Sequence, residues 1–309
     1  MPRARPPLPP RHGLDPARVR LPLDGAWGTL RDHLVDRLPV PAERVDQMLA
    51  AGRVVDREGP LGVDTPYVPG AVVWFHRDLP DEVPVPFEID VVHRDDDVLV
   101  VDKPHFLATI PRGRHVLETA LVRLRHRLDL PELSPAHRLD RVTAGLVLFV
   151  VRPELRGAYQ NLFRDRRVDK TYEAVAPYDP AVELPRVVRS HIVKERGVLT
   201  ASETDDPPNA ETRVELVEHD GVRARYRLVP RTGRTHQLRV HMASLGLPIL
   251  GDPFYPTLRD VGLDDFRAPL QLLARTLAFP DPVTGARREF TSRRTLSAWT
   301  DPDGWAAGP

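Results

Sequence analysis

His137-Arg138-Leu139-Asp140-Arg141-Val142-Thr143-Ala144-Gly145-Leu146 sets one carboxylate between two arginines, with a histidine three residues upstream and an apolar run, residues 146 to 151, directly behind. A run of that length and composition reads as a strand buried on both faces. The charged segment is then a loop held at the edge of a core, where folds commonly mount reactive groups. Taken alone, Asp140 reads first as a surface-turn residue in an ordinary exposed ion pair. The segments around it change that reading.

Working outward, 309 residues suffice for one large domain with a smaller one beside it. The chain has no cysteine, which excludes disulfides, thiolate nucleophiles, iron-sulfur clusters and thiolate zinc sites. Its 12 histidines form no HExxH pair, and the five-residue spacing of His236 and His241 does not align two ligands on one helical face. No metal is therefore expected. No window reaches membrane-spanning length and the N-terminus lacks a signal peptide's apolar segment, so a cytoplasmic location is the expectation. With 44 basic and 44 acidic residues the chain has no long-range field drawing in a polyanion, and any nucleic-acid surface must be a local patch. Only Lys103, Lys170 and Lys194 are lysines; with 34 prolines, the arginine excess reads as biased genome composition.

Residues 1 to 20 read as a flexible Pro/Arg-rich tail. Thr29 then caps a helix with Leu30, Leu34 and Leu38 on one stripe. Pro41 opens a second with Val45, Met48 and Leu49, and Gly52 ends it. Together with strands near 53 to 56 and 69 to 74, these make a unit over residues 21 to 80 that resembles the alpha-L RNA-binding module. Arg44 and Arg53 fall near where such modules face RNA, among interleaved acidic residues. Residues 81 to 86, acidic and with two prolines, read as a linker, and 87 to 309 as a second domain.

In that domain residues 89 to 101 predict a hairpin around a solvated turn at Asp95-Asp96-Asp97, and 117 to 128 a helix whose Arg123, Arg125 and Arg127 form a solvated face. A second helix covers Leu155 to Phe163. The strand at 170 to 176 places Tyr172 on one face with Ala174 and Ala176, leaving room for a flat partner; packing at a core or rim is the alternative. Residues 185 to 208 read as an insertion, and 211 to 229 as a hairpin turning at Asp220-Gly221 with Arg223, Arg225 and Arg227 on its open face. Thr235 caps a helix with Leu238, Met242 and Leu245 inward, leaving Gly233 and Arg234 in the preceding turn. That is an anion site for either a phosphate or an internal carboxylate. A strand near 270 to 279, a turn at 281 to 285 and a short last strand close the chain.

Five segments occur in one order: residues 97 to 104, the HRLDR stretch through Leu146, Lys170-Thr171-Tyr172, TGRTHQLRVH at 232 to 241, and Gly251-Asp252 before Tyr255. In these the chain resembles the RluA-like family of RNA pseudouridine synthases, over about residues 88 to 290. The resemblance implies an α+β fold with a central mixed, mainly antiparallel sheet flanked by helices. It implies a monomeric enzyme that converts uridine to pseudouridine in RNA, ribosomal or else transfer RNA, without a cofactor. By position, Asp140 matches the family's essential aspartate, which attacks the anomeric carbon or removes a neighbouring proton. Arg234 matches the arginine paired with it, and Tyr172 the tyrosine that stacks on the target base. Arg138 matches a residue that fills the vacated space in the RNA, and Leu272 an apolar residue of the pocket. His137, Arg141 and Arg239 are expected to face RNA. Ala144, Val151 and Leu273 depart from the serine, lysine and histidine usual at their positions, which bears on RNA target and affinity. A non-catalytic RNA-binding protein on this scaffold is the rival reading, and retention of Asp140, Tyr172 and Arg234 together argues against it.

Overall fold

The computed structural model describes residues 6–79 and 81–308. The chain divides into one unit ending at Asp81 and a second beginning at Glu82.

The first unit contains β1 (Ala17–Arg20), α1 (Leu30–Arg37), α2 (Ala42–Ala50), β2 (Val54–Val55) and β3 (Val72–Phe75), with the strands in the order β1-β3-β2. Thr29 caps α1 through a reciprocal pair, its hydroxyl accepting from the Asp32 amide and its amide donating to the Asp32 carboxylate, each at 3.1 Å. Leu30, Leu34, Val45, Met48 and Leu49 are buried between the helices and the sheet. The expected tail is shorter than residues 1 to 20. Ala17 and Val19 turn inward as β1 pairs antiparallel with β3, a two-residue alternation that the surrounding prolines and arginines mask in the sequence. Met1–Arg5 lie outside the described residues.

The second unit starts earlier than residue 87, because the expected linker is built into it. The Glu82 carboxylate accepts from the amides of Val116, Leu117 and Glu118, and Val85 is buried. Its elements are β4 (Asp90–Arg94), β5 (Val98–Lys103), α3 (Ala120–Leu128), β6 (Ser134–Pro135), β7 (Ala144–Val150), α4 (Arg156–Arg164), β8 (Asp169–Pro177), β9 (Arg186–Val193), β10 (Ser202–Thr204), β11 (Ala210–His219), β12 (Arg223–Pro230), α5 (Gln237–Ser244), β13 (Leu272–Pro280), β14 (Arg287–Thr291), α6 (Ser297–Thr300) and α7 (Pro302–Ala307). The main sheet runs β10-β9-β11-β12-β8-β13-β7-β5-β4, with β14 beside β13 and β6 beside β7. Every pairing is antiparallel except β13 with β7. The α+β architecture expected above is the one observed.

Residues 185 to 208, read as an insertion, instead supply β9 and β10, and β9 pairs with β11 through five residues. Their sparse apolar pattern follows from a strand whose side chains are mostly exposed or half-exposed. The arginines of α3 are not a solvated face either. Arg123 donates to the carbonyls of Val85 and Phe87, Arg125 to that of Leu133 and Arg127 to that of Ile89, so they fasten neighbouring chain to the helix. On the open face of the sheet, Arg225 pairs with Glu218, Arg213 with Glu215 and Arg275 with Glu173, so cations there are neutralised in place.

Two cores meet at one seam. The α3 side chains pack on β5 and β7, and the α5 side chains pack on β8, β11 and β12. Tyr172 packs against both clusters. The seam follows the parallel contact of β7 with β13, where Gly145 has φ +111° and an added Cβ would lie 2.4 Å from the Ala274 carbonyl oxygen. Only glycine permits that approach. All seven residues of β7 are buried, as the apolar run predicted, and the loop entering β7 carries Asp140 to the seam.

Candidate active site

The Asp140 loop is pinned by the segment following β5. The Thr109 hydroxyl donates to the Leu139 carbonyl at 2.8 Å and accepts from the Leu139 amide at 3.1 Å. His105 Nδ1 is hydrogen-bonded to the Val142 carbonyl at 2.8 Å. Lys103 Nζ, fully buried, donates to the carbonyls of Pro104 (2.9 Å), Leu107 (2.7 Å) and Arg141 (3.3 Å). The Thr143 amide donates to the Asp140 carbonyl at 3.2 Å and closes the turn. These bonds occupy backbone groups that would otherwise be buried without partners, and they fix where the carboxylate stands. Its side chain remains 33% exposed, in a cavity of about 1400 Å³.

Across the cavity, α5 presents Arg239. Its guanidinium is 1% exposed and forks onto Asp252, Nε to Oδ2 at 2.8 Å and Nη2 to Oδ1 at 2.6 Å. Asp252 itself is held by the amides of Phe254 (2.8 Å) and Tyr255 (3.2 Å). The rings of Phe254 and Tyr255 cover the guanidinium at 4.8 and 5.3 Å. The remaining nitrogen, Nη1, has no hydrogen-bond partner among the described residues and stands 3.5 Å from Asp140 Oδ2. A donor fixed by packing and directed at a carboxylate is preorganised, so little rearrangement is needed when charge shifts there. His236 Nε2 is 3.8 Å from the same oxygen, and its Nδ1 shares a 2.9 Å hydrogen bond with the Tyr255 hydroxyl. Burial lowers the His236 imidazole to about 4, against the pull of the Asp140 charge, so it is neutral at neutral pH.

Tyr172 lines the cavity from β8, opposite Leu228 and Ala274 in the register, with the buried Leu272 one strand away. Burial, then the Asp140 charge, push its phenol above the usual range, so it carries its proton at neutral pH. Among the described residues no group of three or more histidine, cysteine, aspartate or glutamate side chains is placed to hold a metal ion.

Burial pushes the Lys103 ammonium down to about 7, again against the Asp140 charge. The unfolded chain, with its lysine at the ordinary 10.5, binds this proton more tightly. The protonated amine is therefore a cost to the fold below about pH 7, relieved as pH rises toward 10.5. The stability of the wild-type chain relative to Lys103→Met is expected to grow between about pH 7 and 10, above a constant loss from the carbonyls the variant leaves unmatched. Denaturant titrations across that range read the difference, and a pH-independent gap would contradict the assignment.

Residues 97–244 match the family model described as RNA pseudouridylate synthase. The chain is 34% identical over 218 residues to the dual-specificity RNA pseudouridine synthase RluA of Pasteurella multocida (strain Pm70), covering 66% of this chain and 92% of that protein. The chain belongs to the RNA pseudouridylate synthase family. The synthase is 36% identical over 185 residues to the human pseudouridylate synthase RPUSD2, covering 58% of this chain and 33% of that protein. The structure of human RNA Pseudouridylate Synthase Domain Containing 1 superposes with a TM-score of 0.56 at 26% identity, covering 70% of this chain and 87% of that one. The synthase is an isomerase that converts uridine to pseudouridine in RNA.

Several expected site residues are placed differently. Arg234 is not the partner of Asp140: it is exposed and its Nε donates to the Asn209 carbonyl at 3.2 Å. Arg239, expected at the RNA surface, takes that place and is buried. Thr235 does not cap α5. His236 does, at φ +58°, and the Arg234 amide is satisfied by Gln237 Oε1 at 3.0 Å, which closes the turn to an outside anion. His137 is no RNA-facing cation: its ring stacks on Phe163 at 4.3 Å, its Nε2 accepts from the Leu148 amide, and burial, then Lys170, lower it to about 3. Arg138 is exposed on the cavity wall, whereas Arg141 is half-buried over the Phe106 ring at 5.7 Å. In the first unit Arg44 is engaged by Asp78, while Arg53 is exposed. Lys103, His236, Asp252 and Tyr255 were given no role from sequence. Gly251-Asp252 stands among the matching segments, but its partner could be named only once the structure showed Arg239 turned inward.

Proposed function

We propose that Asp140 is the essential carboxylate of the reaction, with Arg239 as its fixed counter-ion and Tyr172 as the flat partner of the target base. The observation that carries this is the 3.5 Å approach of the otherwise unbonded Arg239 Nη1 to a carboxylate open to the cavity. In the isomerisation the N1–C1′ bond breaks, a C5–C1′ bond forms, a proton leaves C5 and one arrives at N1. Asp140 either attacks C1′ or removes the adjacent sugar proton, and both roles need a carboxylate directed at the ribose. The base must leave its stack, which costs a few kcal/mol, and Tyr172 with Leu272 offers an aromatic and apolar surface to receive it. Tyr172 enters as a phenol, so it meets the base as a stacking surface and a hydrogen-bond donor.

Ribosomal RNA is the substrate proposed, with transfer RNA as the second reading. A monomer acting in the cytoplasm completes the proposal. Mapping pseudouridines in cells with the gene deleted and restored is expected to reveal ribosomal RNA sites that follow the gene. Sites confined to transfer RNA would select the second reading, and no gene-dependent site in any RNA would overturn both.

A further inference from the structure

A second cleft, of about 330 Å³, opens beside the active cavity and shares Phe163, Lys170, Thr232, Gly233 and Arg234 with its wall. It lies between the end of α4 and the turn leading from β12 to α5. Arg164, Arg166, Lys170, Arg231 and Arg234 line it, and none of its lining residues is a carboxylate. In a chain of zero net charge that is unusual, because the open face of the sheet matches its arginines with glutamates.

The cations differ in how far they are engaged. Arg164 is paired with Asp165 at 2.8 Å, and Arg231 reaches Glu211 only at 3.6 Å. Arg234 touches the Asn209 carbonyl. The side chains of Arg166 and Lys170 have no hydrogen-bond or ion-pair partner among the described residues. Lys170 is half-buried, and burial alone lowers its ammonium. A desolvated cation without a counter-charge is costly, and an anion entering the cleft would offset that cost.

We propose that this cleft is a phosphate subsite, holding the RNA backbone next to the target uridine through Lys170, Arg166 and Arg231. The proposal rests on RNA being the substrate. Geometry supports a backbone contact: five cations and no carboxylate line the cleft, and it continues from the cavity wall at Phe163 and Lys170, so a strand leaving the cavity meets it. The subsite would thereby set register without reading sequence.

The test is fluorescence anisotropy of a short labelled oligouridylate bound to the full chain, measured from about 50 to 200 mM KCl. Each lost phosphate contact lowers the slope of log Kd against log salt by about 0.7 for a single strand. Arg166→Met and Lys170→Met are each expected to lower the slope by that amount and to weaken binding at low salt by about three- to tenfold. Arg227→Met, on the open face, is expected to keep the wild-type slope. Arg166 is exposed, so its variant carries the test if Lys170→Met fails to fold. Wild-type slope and affinity in the Arg166 variant and any folded Lys170 variant overturn the subsite, whatever the enzyme modifies. Reduced slopes in a chain that forms no pseudouridine would keep the subsite and overturn the catalytic reading instead.

Discussion

Asp140→Ala is expected to lower pseudouridine formation by about 10³-fold or more while leaving melting temperature and RNA affinity close to wild type. The size of the loss follows from the role. If the carboxylate forms or breaks a bond to the ribose, no neighbour replaces it: His236 is a neutral ring 3.8 Å away and Tyr172 holds its proton. The small stability effect follows from exposure. Asp140 is one-third exposed, and its removal leaves Arg239 still forked onto Asp252, so a cost within about 1 kcal/mol is expected. Asp140→Asn should lose the same activity, since it keeps the shape of the carboxylate and removes its charge. Single-turnover assays on RNA from a gene-deleted strain, with thermal melts of both variants, decide the matter. A variant that retains wild-type turnover would remove Asp140 from the chemistry.

The sequence made the frame of the site legible and its inner wall less so. The run after Asp140 showed a strand buried on both faces because sustained burial leaves a continuous apolar signature, and β7 has it. Tyr172 on a face with two alanines was readable for the same reason, since period two is rigid in a strand. The Arg234 assignment failed because a helix start does not reveal which nearby arginine turns inward. The left-handed His236 begins α5 later than Thr235 would, and Arg239 rather than Arg234 comes to face the cavity. Lys103 escaped notice because a lysine ending a strand reads as solvated. Its burial depends on three carbonyls, two of them in its own loop and one brought from Arg141. The strands at 17 to 20 and 186 to 193 were missed because half-exposed strands carry little apolar pattern, and pairing partners far along the chain decide them.

Arg239→Met is expected to cost about 3–5 kcal/mol of stability together with most of the activity, because it strands Asp252. That carboxylate is 0% exposed and keeps only the amides of Phe254 and Tyr255 once the guanidinium is gone. Gly251 offers no relief: it has φ +72°, and an added Cβ would lie 2.5 Å from the Pro269 carbonyl oxygen, so the backbone holding Asp252 is tightly confined. Structural and catalytic roles separate in the double variant Arg239→Met/Asp252→Leu. Removing both charges is expected to recover most of the stability, as replacing a whole buried pair usually does, while turnover stays about 10²- to 10³-fold down for want of the Nη1 donor at Asp140. Arg239→Lys keeps a charge but cannot fork onto Asp252 and reach Asp140 together, so it should fall between the two in stability and remain slow. Arg234→Met, by contrast, should leave the melting temperature in place, because its Nε touches only the Asn209 carbonyl at the surface. Denaturant unfolding of the four variants beside single-turnover rates gives the outcome: full turnover in the stabilised double variant would reduce Arg239 to a packing residue, and a melting loss in Arg234→Met as large as in Arg239→Met would return the counter-ion to the turn before α5.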